Sequence, residues 1–348
     1  MSIFKVGKFV FWGGLGMIFM ILTLSLLVVY YLEVASKAYF EQPMVMPNSP
    51  ISKTNAVYLE HKWVGEKVDV AKVAQLATLL EEANITDIFV HSGPFAEDGS
   101  LPASLYPHAK YFISTLKNSY PELHIQAWLG QVRKNWGGPL ELNSVTIEKM
   151  KNSVNEILKQ GFDGVHLNIE PILNNDTEFL SLLDELETLV HGQKKILSVS
   201  ADDVEPFSFG RLLVKLYSPD ITMWDLNFFQ KVLQKVDQIV IMSYDSGFTK
   251  PHYYAMYVES LARALVGDKD HTVFIGIPTY DKPGKKFHPD AENMHSSLLG
   301  MIAATKNLDL DHMPHIAIYA YWETSKSEWE EYFKFWLGKT FDERLTIN

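Results

Sequence analysis

Glu170 closes a run in which polar and apolar side chains alternate: Gly161-Phe162-Asp163-Gly164-Val165-His166-Leu167-Asn168-Ile169-Glu170-Pro171. Read as a strand, it turns His166, Asn168 and Glu170 to one face and Val165, Leu167 and Ile169 to the other. A polar row facing an interior is costly unless its members bond one another or a ligand. A carboxylic acid that ends such a row is a candidate general acid, provided apolar surroundings and neighbouring acids raise its pKa. The competing reading is an interior network, with His166 a satisfied core histidine rather than a functional group. His166 and Glu170 would make only two metal ligands, with no third at suitable spacing, so no metal is expected. No other cofactor is implied, since no Gly-x-Gly-x-x-Gly follows the first strand.

The elements that must position this row are short apolar strands alternating with amphipathic helices. The spacing predicts strands at Ala56–Leu59, Asp87–His91, His124–Leu129, Gly164–Ile169, Ile196–Ser200, Gln238–Ser243, Val273–Ile277 and Ile316–Tyr321. They are β-branched or aromatic and mostly continuous, as strands buried on both faces are. Helical periodicity falls between them, at Val70–Glu82, Val145–Gln160, Glu178–His191 and Tyr254–Val266. Alternation of β and α implies a parallel sheet, and eight units in about 290 residues favour a closed (β/α)8 TIM barrel over an open doubly wound sheet. In such barrels function sits at the C-terminal ends of the strands. Glu170, Tyr244, Asp245, Tyr280 and Trp322 stand there, and Asp202-Asp203 reads there as a loop or helix cap. The sequence assigns no role to Trp63, Trp128 or Trp136.

Ahead of the barrel, Phe9 to Leu32 carries no charged side chain. Its 24 residues span roughly 36 Å as a helix, against a hydrocarbon core of about 30 Å. Lys5 and Lys8 precede the stretch and no net positive charge follows it, which predicts a cytoplasmic N-terminus (residues 1–8) and an extracytoplasmic C-terminal domain at the cell membrane. A cleaved signal peptide is the rival, with small residues at Ser36-Lys37-Ala38, but the apolar stretch exceeds the usual h-region. Residues 33–54, rich in Pro and Ser after Pro43, read as a linker, and 55–340 as the barrel domain. There is no cysteine, which excludes disulfides, zinc–thiolate sites and a cysteine nucleophile. Beyond residue 41 the chain holds 28 bases and 40 acids, a formal charge of −12. That balance argues against nucleic acid as a partner and favours a neutral or cationic ligand.

The strand-four run resembles that of glycoside hydrolase family 18, which reads Asp-x-x-Asp-x-Asp-x-Glu. Asp163 and Glu170 match its first and last acids, and His166 and Asn168 stand where the two middle acids would be. Met242-Ser243-Tyr244-Asp245 is similar to the family's Met-x-Tyr-Asp on strand six, and Gly276-Ile277-Pro278-Thr279-Tyr280 to its Gly-x-Pro-x-Tyr on strand seven. Trp322 ends strand eight, where the family places a tryptophan under the sugar. The resemblance runs through residues 55–340 and implies a chitinase-like glycosidase acting on an N-acetylhexosamine polymer or cell-wall glycan. It implies that Glu170 is the general acid and then the base for water, while the substrate's own acetamido oxygen attacks the anomeric carbon. Asn168 would orient the acetamido group, Tyr244 would hydrogen-bond its oxygen, and Asp245 would bind a hydroxyl or tune Glu170. Asp163, His166 and Tyr280 would belong to the substrate site, and Trp322 would form a stacking floor. Two other readings remain open: a catalytically silent carbohydrate-binding barrel, and a two-carboxylate hydrolase pairing Glu170 with Asp245, Asp281 or Glu323.

Overall fold

A computed structural model of the chain describes residues 3–40, 43–205, 223–265, 270–306 and 313–345. Val266, the expected end of one helix, lies outside them, as do Met1, Ser2, Glu41 and Gln42 and residues 206–222, 266–269 and 307–312 of the expected barrel span. Two compact units divide the chain, Met1–Pro43 and Met44–Asn348.

The second unit is a closed barrel. Its strands are β1 Asn55–Leu59, β2 Ile85–Pro94, β3 His124–Val132, β4 Gly164–Glu170, β5 Ile196–Ala201, β6 Gln238–Met242, β7 Thr272–Pro278 and β8 His315–Tyr319. All are parallel and neighbours in sequence order, and β8 pairs with β1 to close the ring. Helices Val70–Glu82, Ala109–Ser119, Ser144–Leu158, Thr177–Gly192, Leu226–Leu233, Pro251–Ala264, Met294–Thr305 and Lys326–Phe335 follow the strands. Polar side chains start most of them. Asp69, Asn143, Asp176, Asp225 and Asn293 accept backbone N–H groups of the first turn, and Ser325 forms a reciprocal capping box with Glu328.

The strand side chains sort into two apolar layers. Outward residues such as Val165, Leu167, Val199 and Ile241 pack under the helices. Inward residues Tyr58, Phe89, Val240, Phe274 and Ala317 form a separate cluster inside the barrel. Below that cluster lies a buried polar layer, in which Gln126 Nε2 donates to Gln238 Oε1 (2.7 Å) and Gln238 Nε2 donates to Asp87 Oδ1 (2.8 Å). The lower end of the barrel is therefore filled, and only the C-terminal ends of the strands can open on a cavity.

Several boundaries differ from the sequence reading, among them β2 and β3, which run longer than expected. The helix of the first unit runs unbroken from Ile3 to Phe40, so residues 33–40 are helical and not linker. Glu33, Ala35, Lys37 and Ala38 favour helix, and no proline intervenes before Pro43. Within it, Gly16–Ala38 is long and apolar enough to cross a membrane. The remaining linker candidate, from Met44, is part of the barrel unit. Met44 and Ile51 pack on the core, Ile51 N–H donates to Trp336 O (2.9 Å), and Ser52 Oγ bonds His315 Nδ1 (2.7 Å). Finally, β8 stops at Tyr319 and not at Tyr321, because the Ala320 N–H donates to Thr279 Oγ1 (2.9 Å) instead of a ladder carbonyl.

Candidate active site

The alternation read in β4 governs the site. In parallel register, His166 lies beside Trp128 and Ser198, Asn168 beside Gly130, and Glu170 beside Val132. A side chain at Gly130 would put its Cβ 2.8 Å from the Asn168 carbonyl, so glycine lets the two strands approach there. Arg133, almost wholly buried, locks the end of β4. Its backbone N–H donates to Glu170 O (2.7 Å), and its guanidinium pairs with Asp176 (2.8 Å) and Glu178 (2.5 Å) at the start of the next helix. Trp224 holds the neighbouring loops, donating Nε1–H to Ile172 O (2.9 Å) and its backbone N–H to Asp203 O (2.8 Å).

Above the filled barrel lies a cleft of about 560 Å³, into which Glu170, Asn168, Asp202, Tyr244, Tyr319 and Trp128 project. Asn168 Nδ2 donates to Glu170 Oε1 at 2.6 Å, while Asn168 Oδ1 is buried without a partner. Burial pushes the Glu170 carboxyl above its ordinary range. The Asn168 hydrogen bond opposes that shift and the negative charge of Asp245 adds to it. The half-buried Tyr244 has its hydroxyl held protonated by desolvation. Its ring stacks on Tyr319 at 5.3 Å and meets Tyr280 edge-on at 6.0 Å. Gly276 lies directly beneath, since a Cβ there would come within 3.2 Å of the Tyr244 ring. That contact is a physical use for the glycine of the strand-seven motif. Asp245 sits at the rim in the left-handed region, φ 57°, a backbone state that Asp tolerates better than most residues. Tyr280 hydrogen-bonds its carboxyl.

More carboxyls converge here than the sequence suggested. Burial pushes Asp202 up to about 8, with the charges of Glu170 and Asp203 adding to the shift. Burial likewise raises Asp203 to about 6, against the hydrogen bond that Tyr257 OH donates at 2.8 Å. Behind Asp245, Glu292 is buried and raised by burial to about 7, although Ser246 N–H donates to it at 3.2 Å. Lys282 and Lys286, on the loop after β7, line the same cleft. The charge of Lys286 partly offsets the shifts of Asp202, Asp203 and Asp245.

The expected site residues divide. Glu170, Asn168, Tyr244, Asp245, Tyr280 and Trp322 all line the cleft. Asp163 does not: it precedes β4 at the opposite end of the barrel, where it accepts Ile125 N–H (2.9 Å) and pairs with Lys117 (2.8 Å). Six residues of strand lie between it and Glu170, so it joins β3 to β4 and does not line this cleft. His166 is also not in the cleft. It is fully buried one layer below, stacked on Phe89 at 4.0 Å. Its Nδ1 bonds Ser198 Oγ (2.8 Å), and its Nε2 bonds Ser200 Oγ (2.8 Å) and Tyr58 OH (2.9 Å). Ser198 donates its own hydrogen to Gln126 Oε1 (2.7 Å), so His166 carries its proton on Nδ1 and accepts at Nε2. Burial lowers its pKa to about 3, which keeps it neutral. Trp322 stands on the rim, 37% exposed and edge-on to Tyr319 at 6.1 Å. Tyr319, Tyr244 and Trp128 form the floor instead.

Sequence reasoning missed Tyr319, Trp128 and Asp202. Ser198, Ser200 and Asp202 repeat with the same period of two as His166, Asn168 and Glu170. That second inward polar row was a legible signal.

Neither a family model nor a curated protein sequence matches the chain. Solved structures do match it. The fold is shared with chitinases. One, from Chromobacterium violaceum ATCC 12472, superposes with a TM-score of 0.56 at 13% identity, covering 82% of this chain and 99% of that one. A class V chitinase from Nicotiana tobaccum gives 0.54 at 11% identity, over 82% and 99%. The spore cortex-lytic enzyme SleL of Bacillus megaterium QM B1551 gives 0.55 at 13% identity, over 83% and 75%. At such identities the likeness is one of fold, and function rests on the cleft.

Proposed function

We propose that the chain is a membrane-tethered glycoside hydrolase acting on N-acetylhexosamine-containing glycan. The observation that carries this reading is the Glu170 carboxyl, raised by burial at the end of β4, bonded to Asn168 and lining one cleft with Tyr244. Glu170 in its acid form protonates the glycosidic oxygen, and the acetamido oxygen of the substrate displaces the leaving group. Glu170 as carboxylate then takes a proton from the water that opens the cyclic intermediate. Asn168 Oδ1, buried and unpartnered, is a ready acceptor for the acetamido N–H, and the Tyr244 hydroxyl a donor to its carbonyl. Tyr319 and Trp128 offer aromatic surface to a sugar's C–H face. A polymeric substrate is supported by a related chitinase fold solved with NAG4, from Nicotiana tobaccum, at 10% identity and a TM-score of 0.53 over 81% of this chain and 98% of that one. The apolar helix and the lysines before it support a single-pass anchor with the barrel outside the cytoplasm.

The test is a panel of chitin oligosaccharides and cell-wall glycan incubated with the full-length chain in detergent, read for binding and for new reducing ends. Turnover of an N-acetylhexosamine glycan is expected. Binding without turnover would replace the hydrolase by a carbohydrate-binding barrel.

A further inference from the structure

Asp202 follows directly on β5, whose register with β4 pairs Leu167 with Val199. Three residues further along both strands stand Glu170 and Asp202, so the two inward rows end side by side. The Ile172 backbone N–H donates to the Asp202 carboxyl. Its other oxygen, Oδ2, is buried, has no hydrogen-bond partner, and belongs to a side chain that lines the cleft. A buried acceptor without a donor is costly to keep. Among the described residues no donor reaches it, and an N–H from a ligand in the cleft would satisfy it.

Resting on the hydrolase reading above, we infer that Asp202 is the second carboxylate of the reaction: it carries the negative charge against the substrate's acetamido N–H while Glu170 carries the proton. Asn168 Oδ1 can share that N–H and orient the group, but an amide cannot offset the positive charge that develops on it. Strand four thus lacks the charge the reaction needs, and strand five supplies it.

The two carboxyls share one electrostatic environment. Asp202 is faced by Glu170 from β4, Asp203 from its own loop and Lys286 from the loop after β7. Two carboxyls this close to one another and this buried favour a single shared negative charge. When Asn168 donates to an ionised Glu170, Asp202 holds the proton. When Glu170 is the acid, Asp202 is the anion. In the first step the Glu170 proton passes to the glycosidic oxygen, the C1–O bond breaks, and the acetamido oxygen bonds C1. The cyclic cation then lies against the Asp202 carboxylate. Water adds to C1, its proton returns to Glu170, and the ring opens to the product sugar.

The experiment compares wild type, Asp202→Asn and Asn168→Asp/Asp202→Asn, as full-length chains in detergent, hydrolysing a chromogenic N-acetylchitotrioside across pH. Asp202→Asn should lower kcat by about 10²–10³-fold, the usual loss when one preorganised electrostatic partner is removed. It should also move the alkaline limb of kcat/KM to lower pH, because Glu170 loses a like-charged neighbour and gives up its proton sooner. The double variant, with a carboxylate restored on strand four, should regain about tenfold or more of the loss. Turnover by Asp202→Asn close to wild type, with an unmoved alkaline limb, would overturn the inference and leave the hydrolase reading intact. No turnover by wild type on any N-acetylhexosamine substrate would overturn both. Should Asp202→Asn fail to fold, carboxyl ¹³C titration of wild type decides: two coupled steps for Glu170 and Asp202 are expected, and independent titration of Asp202 at an ordinary aspartate value overturns it.

Discussion

Replacing Glu170 by glutamine isolates the proton from the shape. The Asn168 hydrogen bond to Oε1 survives, because a glutamine oxygen accepts as a carboxylate oxygen does. The backbone bond from Arg133 is untouched. What is lost is the acid for the leaving oxygen and the base for water, an effect of about 10²–10⁴ in rate, or about 3–5 kcal/mol of barrier. Stability should move the other way. Burial raises the Glu170 pKa above its unfolded value, so the unfolded chain ionises first as pH rises. Folded stability therefore falls between the unfolded and folded pKa values and stays lowered above them. Glutamine has no such penalty, and the variant should melt no lower than wild type at neutral pH. The assay pairs steady-state hydrolysis of a chromogenic N-acetylchitooligosaccharide with calorimetric binding and thermal melting of both proteins. A kcat loss with retained binding and an undiminished melting temperature is expected. Full turnover by Glu170→Gln would refute the assignment of the proton donor, and a collapse of the fold would refute the account of its burial.

Other predictions separate structural groups from chemical ones. His166→Ala leaves a cavity and takes one hydrogen bond from each of three hydroxyls, so urea unfolding should show a loss of about 3–5 kcal/mol; a loss under about 1 kcal/mol would contradict the interior network. Asp163→Asn should leave kcat and KM unchanged while lowering the unfolding midpoint slightly, since Asp163 acts at the far end of the barrel; a selective loss of kcat would place it back in the site. Glu292→Gln should gain melting temperature over wild type progressively between about pH 4.5 and the folded value of about 7, as the wild-type carboxyl ionises in the unfolded chain while burial keeps it protonated in the folded one. A difference independent of pH would show that folding does not raise the Glu292 pKa.

Asn168 marks where this cleft departs from the pattern it resembles. The side chain faces Glu170 and not His166, so strand four is not one polar network but two layers. The lower layer, His166 with its serines and Tyr58, holds a neutral imidazole and is joined through Ser198 to Gln126 below it. The upper layer, Asn168 and Glu170, keeps an unpartnered oxygen in the cleft. A mixed arrangement of this kind is expected where a scaffold becomes a site, because polar groups bonded to one another are unavailable to a ligand.

The eight strands, their parallel order and the inward face of Glu170 were legible in the sequence, because they follow from local periodicity. Alternation fixes the face on which a side chain lies. It says nothing of depth along the barrel axis, which depends on the stagger of eight strands brought together from across the chain. Asp163 and His166 thus shared a motif with Glu170, but only the closed barrel put one at its base and the other in its filled middle. The same long-range closure carried Tyr319 and Trp128 under the cleft and left Trp322 on its rim. It also brought Asp202 beside Glu170, from a separate strand and a segment that reads as an ordinary loop. Their raised pKa values follow from that packing, since desolvation belongs to an assembled interior and not to a residue type.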